Sequence, residues 1–164
     1  MIGTLLLSAC PISIGFLKCQ NLKQNQNKIE KIIELINWII TEIRYKKTEI
    51  NLLFHNLSFE ENFKNLEFLQ NFKNIARSKP FPKAWEESIK TWNCTIPLKD
   101  KMLLKSLSNI LGATDSKGQI LALKHIKMRF EESLKTAQNL YTTKGKLAKS
   151  LGVLLSIAII IIFI

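Results

Sequence analysis

Residues 146–164 read KLAKSLGVLLSIAIIIIFI, and beyond Lys149 the stretch holds no charged side chain. Six isoleucines fall within 157–164 and nothing polar follows Ser156, so a helix here has no face to offer water. From Leu147 to Ile164 such a helix extends ~27 Å at ~1.5 Å per residue, just enough to cross a bilayer. Lys149 then snorkels to the headgroups. A buried core helix is the alternative, and the missing solvated face weighs against it. The reading is a C-terminal membrane helix over residues 148–164.

The other end matches it. Residues 1–17, MIGTLLLSACPISIGFL, are also uncharged, which predicts an N-terminal membrane segment over residues 1–18. Two alternatives stay open. LLLSAC resembles a lipobox with Cys10 as the lipidated residue, and a cleaved leader is the third reading. No basic residue precedes the apolar run, and the run continues past Cys10 through Ile12, Ile14, Phe16 and Leu17; both points favour an uncleaved span. Pro11 is expected to kink such a helix, not abolish it. Gly152 and Ser156, like Ala9 and Ser13, form small-xxx-small pairs that permit close helix approach.

All 24 basic and 13 acidic side chains therefore lie between Lys18 and Lys149, giving that block a net charge of +11. Lysines flank both runs on their inner sides: Lys18 and Lys23 after the first, Lys144, Lys146 and Lys149 before the last. The positive-inside rule then makes residues 19–147 cytoplasmic. These five lysines are the candidate contacts with the membrane surface, since anionic headgroups attract each nearby Lys by ~1 kcal/mol. Basic charge also suits nucleic acid. No nucleic-acid module is visible, however, and the only arginines are Arg44, Arg77 and Arg129. Anionic lipid and acidic partner surfaces are the preferred reading, with no nucleic acid expected. A membrane-anchored basic nucleic-acid-binding protein, a lipoprotein adaptor and a pore-forming membrane protein are the alternatives.

Between the ends no segment alternates with strand period, which predicts an all-α bundle. Ile29, Ile33, Ile36, Ile40 and Ile43, broadened by Ile32 and Ile39, mark a stripe along a first long helix. Ile120, Leu123, Ile126, Phe130, Leu134, Ala137 and Tyr141 mark a second, N-capped by Asp115 and weakened at Gly145. Gly112 closes the helix before it. These two helices, over 19–46 and 116–149, reach ~42 and ~51 Å and are expected to run antiparallel. Shorter capping helices are predicted in 48–57, 61–76, 82–92 and 98–112. Breaks fall near Ser58, at Pro80 and Pro82, and at Pro97. Phe54, Phe59, Phe63, Phe68, Phe72, Phe81, Trp85 and Trp92 read as core.

Chemistry-bearing sets are missing. His55 and His125 stand alone, no phosphate-binding glycine loop or GxSxG occurs, and the acidic pairs at 60–61, 86–87 and 131–132 read as solvated helix faces. Cys10, Cys19 and Cys94 make an odd count without CxxC spacing, so reduced thiols are expected. The expectation is a non-enzyme without cofactor or metal.

Particular residues carry a family resemblance. AWEESI (84–89) leads to LKDKMLLKSLSNILGATDSKGQ (98–119) and then to the C-terminal run. Within these, Ala84, Trp85, Leu98, Asp100, Leu107, Leu111, Gly112, Asp115 and Gln119 resemble the pattern of the stage III sporulation protein AB family. Glu42, Ile43 and Tyr45 resemble its Glu-Ile-x-Tyr end to the first long helix, and Gly3 and Gly15 fit its glycine-containing N-terminal segment. The likeness is specific in the second half and loose over 55–80. The Cys10–Pro11 pair departs from it. The resemblance implies a component of the secretion-like channel between mother cell and forespore. Its soluble domain would be similar to the helical domains of the type II secretion platform protein F. It further implies a place in the cell membrane on the mother-cell side, facing the forespore. The implied partners are a cytoplasmic ATPase, other channel subunits and further copies of the chain. The pattern assigns no contact residue.

Overall fold

The computed structural model describes residues 2–45, 50–57 and 60–163, with side chains described from residue 13 onward except at 50–52, 55, 160 and 163. The readings of Cys10 as a lipidation site, Ala9 as a packing residue, His55 as a lone imidazole, Ser58 as a break and Phe59 as core lie outside the described residues. Everything described is helix or connecting turn, with no strand, so the chain is all-α as its periodicity predicts. The helices are α1 (Ile2–Tyr45), α2 (Ile50–Leu57), α3 (Glu67–Ile75), α4 (Phe81–Thr91), α5 (Leu98–Lys105), α6 (Leu107–Ile110), α7 (Ser116–Leu140) and α8 (Lys146–Phe163). A 3-10 turn spans Glu61–Phe63 and a π-helical turn spans Tyr141–Gly145. Helix α1 passes through residue 11 without a break. Among the described residues no helix is long and apolar enough to cross a membrane.

Two compact units form: Lys28–Ser133, and Met1–Asn27 together with Leu134–Ile164. In the first, α1 contributes Ile29, Ile32, Leu35, Ile36, Ile39, Ile40 and Ile43, all buried. The seam is the expected one apart from a single exchange. Ile29, Ile32, Ile36, Ile39 and Ile43 keep heptad spacing, and Leu35 and Ile40 widen the stripe while Ile33 falls at its half-buried edge.

Helix α4 is the hub of this unit and packs against α3, α5 and α6. Pro80 sets its N-terminus and Pro82 lies in its first turn, where a missing N–H costs nothing. Its Trp85 is fully buried and surrounded by rings: Phe54 at 5.2 Å, Phe68 edge-on at 5.4 Å and Phe72 edge-on at 5.8 Å between centroids. Tilted and edge-on rings set the positive ring edge against the negative ring face. Phe54 stacks on Phe81 at 4.6 Å, and Phe68 meets Trp92 at 4.9 Å. The described aromatics are thus core as expected, with Phe81 half-buried at the cluster's edge.

Two of the expected shorter helices are interrupted: 61–76 forms the 3-10 turn Glu61–Phe63 and then α3, and 98–112 is split as well. Residues 98–112 form α5 and α6 with Ser106 between them. The break is stable because the carbonyls it frees all find donors. Ser106 Oγ donates to Leu103 O at 2.7 Å, Ser108 Oγ to Lys105 O at 2.9 Å, and buried Trp85 Nε1 to Leu104 O at 3.0 Å. Beyond α6, Gly112 adopts φ 81°, a left-handed conformation that favours glycine. Asp115 Oδ1 accepts from Gly118 N at 3.1 Å and so caps α7. Gln119 stitches the turn shut by accepting from Gly112 N at 3.1 Å and donating to Thr114 O at 2.7 Å.

Candidate functional site

The second unit holds the five lysines singled out by charge patterning. Its geometry starts from a glycine. A Cβ on Gly15 would lie 2.4 Å from the Ala148 carbonyl oxygen, so backbone meets backbone there as only glycine allows. One turn along, a Cβ on Gly145 would lie 3.4 Å from Leu22 Cδ1 and 3.7 Å from Cys19 Cα. Lys23 Nζ stands 5.3 Å from the Tyr141 ring centroid, and Lys149 Nζ stands 5.9 Å from that of Phe16. As position rises along α1 from 15 through 19 to 23, the neighbour falls from 148 through 145 to 141. The two segments run antiparallel.

That register gathers the lysines. Lys18 lies level with Lys146, Lys144 and Lys149 lie within a turn on either side, and Lys23 sits five residues past Lys18, ~7.5 Å further along. All five are exposed. Lys23 and Lys149 rest their ammonium groups near aromatic rings, which holds part of this collar in place. Lys23 also donates to Gln26 Oε1 at 3.5 Å. Away from the collar, Gly152 and Ser156 are buried, and Ser156 Oγ donates to Gly152 O at 2.9 Å, which leaves that face smooth and small.

The helix expected over 116–149, with its weak point at Gly145, contains the π-helical turn Tyr141–Gly145. A π turn adds one residue to the helical count, so it rotates every later side chain relative to the stripe before it. Local hydroxyls take the loosened carbonyls: Thr142 Oγ1 donates to Gln138 O at 3.0 Å and Thr143 Oγ1 to Asn139 O at 2.5 Å. Gly145 had signalled a weak point; the rotation itself has no sequence signature in a single chain.

Asp100 and Glu42, named above only for the family pattern, are buried, which the sequence reading did not foresee. Asp100 is 2% exposed and accepts from buried Ser133 Oγ at 2.6 Å, while Glu42 is 5% exposed among the isoleucines of α1. The signal available for Asp100 was a serine on the apolar stripe of α7, three residues past Phe130. By contrast Glu87 pairs with Lys79, Glu86 with Lys105 at 3.1 Å and Glu131 with Lys127 at 3.5 Å; all are partly exposed pairs of small net value. Cys19 and Cys94 are free thiols and His125 is exposed. Among the described residues no group of His, Cys, Asp and Glu is placed to hold a metal ion.

The fold defines an all-helical protein in which the segments around Gly15 and Ala148 run antiparallel, bordered by five exposed lysines. All 164 residues match the family described as stage III sporulation protein AB, and the chain belongs to that family. It is a sporulation protein. No curated protein and no solved structure matches the chain.

Proposed function

We propose that this protein is a non-enzymatic membrane platform subunit of the secretion-like channel between mother cell and forespore. Its two uncharged ends anchor it in the membrane as an antiparallel pair, and residues 19–147 face the mother-cell cytoplasm. There the helical block docks a cytoplasmic ATPase and further channel subunits, in the manner of the platform protein of type II secretion. The observation that carries this reading is the register of the lysine collar. It brings the borders of the two charge-free runs level, so the five lysines fall within ~13 Å along the pair, with both runs leading away from them in the same direction. Both runs continue into positions whose side chains lie outside the described residues, and the membrane assignment rests on their composition. Headgroup attraction of ~1 kcal/mol per lysine then orients the block against the inner leaflet.

The test has two arms. Cysteine labelling in sporulating cells should find residues between 60 and 130 reactive only after the membrane is permeabilised. Affinity capture of the full chain in mild detergent should recover the channel ATPase. Labelling of the middle block from outside intact cells overturns the topology, and capture that never yields the ATPase overturns the adaptor role.

A further inference from the structure

We infer that the groove between the end of α1 and the start of α7 is a docking site for an acidic amphipathic helix of a partner protein. The groove occupies about 570 Å³ and is floored by Ile43, Ile120 and Leu121, with Arg44, Lys117 and Lys124 around it. Among the described residues no carboxylate lines it. Three cations around an apolar floor repel basic segments and nucleate contact with Asp or Glu, while the floor rewards burial of Leu or Ile. Charge complementarity thus commits the site to one class of occupant.

The surface beside the groove extends the pattern. Leu121 is 60% exposed and Met128 is 55% exposed, although both lie on a helix whose other face is core. Along α7, Lys117, Leu121, Lys124 and Met128 fall at i, i+4, i+7 and i+11, which places them on one face with charge and apolar surface alternating. A helix laid beside that face meets an apolar contact every two turns and a cation between them. Its own sequence must therefore carry apolar residues at three- and four-residue spacing, flanked by Asp or Glu. Methionine and leucine exposed together suit a surface that accepts related helices. Asp115 and Gln119 fix the start of α7 by their hydrogen bonds, so the cations are presented from a rigid turn.

This inference supplies the partner chemistry for the adaptor reading above, yet its test does not need the ATPase. The full chain in non-ionic micelles is titrated into a fluorescent peptide of ~18 residues, about five helical turns, built from Leu on one face and Glu on the other. A peptide of the same composition in shuffled order and a Lys-for-Glu version serve as comparisons. The expected result is binding of the acidic amphipathic peptide at least about tenfold tighter than either comparison. Lys117→Glu with Lys124→Glu should weaken it about tenfold or more, and Leu121→Ser severalfold. Lys90→Glu with Lys99→Glu, exposed charges elsewhere, should leave it unchanged. All these positions are exposed, and unchanged circular dichroism confirms that each variant folds. Equal binding of the shuffled peptide, or indifference to the groove substitutions, overturns the site. So does a result in which the groove substitutions abolish binding to anionic vesicles and spare the peptide. Peptide binding that survives while capture from cells yields no ATPase leaves the groove standing and removes the adaptor role.

Discussion

Replacing Gly15 with alanine sets two known effects against each other, and the structure decides which wins. Taken alone, Gly→Ala inside a helix stabilises by ~1 kcal/mol, because glycine loses more backbone freedom on folding. At Gly15, however, the new methyl would stand 2.4 Å from the Ala148 carbonyl oxygen. Ordinary contact needs ~3.4 Å, so the segments must separate by about 1 Å, and overpacking of this kind costs ~1–3 kcal/mol. A backbone carbonyl inside a helix cannot rotate aside as a side chain does. The net effect should be a loss of up to ~2 kcal/mol, with Gly15→Leu worse than Gly15→Ala. For a chain of this size 1 kcal/mol shifts Tm by roughly 2–4 °C, so a fall of several degrees is expected for the full chain in micelles. The assay is thermal unfolding followed by circular dichroism, with Leu17→Ala, an exposed site on the same helix, as the reference. A rise in Tm for Gly15→Ala would refute the close approach, since propensity alone would then be at work.

Three further outcomes are expected. With Cys10 and Cys94 replaced by serine, Gly145→Cys should form a disulfide with Cys19 in the purified full chain, because a Cβ at 145 stands 3.7 Å from Cys19 Cα; Gly152→Cys, about 10 Å further along the helix, should not. Trp85→Phe removes the indole donor to the Leu104 carbonyl at a helix end, where the Ser106 N–H still points, costing ~0.5–1.5 kcal/mol in denaturant unfolding, with most of the ring packing retained. Replacing Lys144, Lys146 and Lys149 with glutamine should weaken binding to anionic vesicles by ~1 kcal/mol each, about fivefold per site, with the difference shrinking in high salt. Tight salt-dependent binding of duplex DNA that the same substitutions abolish, with vesicle binding unaffected, would favour a nucleic-acid role instead.

Much of this was legible in the sequence because it depends on local periodicity. Helical repeats need only i, i+3 and i+4 neighbours, and caps such as Asp115 and the glycine at 112 act within one turn. The lysine collar was readable for a similar reason: charge excluded from two long runs has to collect at their borders. Ser133 shows where such reading stops. Its hydroxyl holds Asp100 across 33 positions of chain, and a serine within an apolar stripe does not say which distant carboxylate it will meet.

The sequence by itself determined an all-helical chain, its breaks at proline and glycine, its aromatic core and its two uncharged ends, since each follows from side-chain chemistry over a few residues. Only the tertiary structure decided that Gly15 lies on Ala148, that Trp85 caps the end of α5, and that α1 and α7 flank a cationic groove. Those depend on the rotational phase of each helix, which a π turn or a split at Ser106 resets. Phase is settled when whole faces bury together, and no short stretch of chain carries that information.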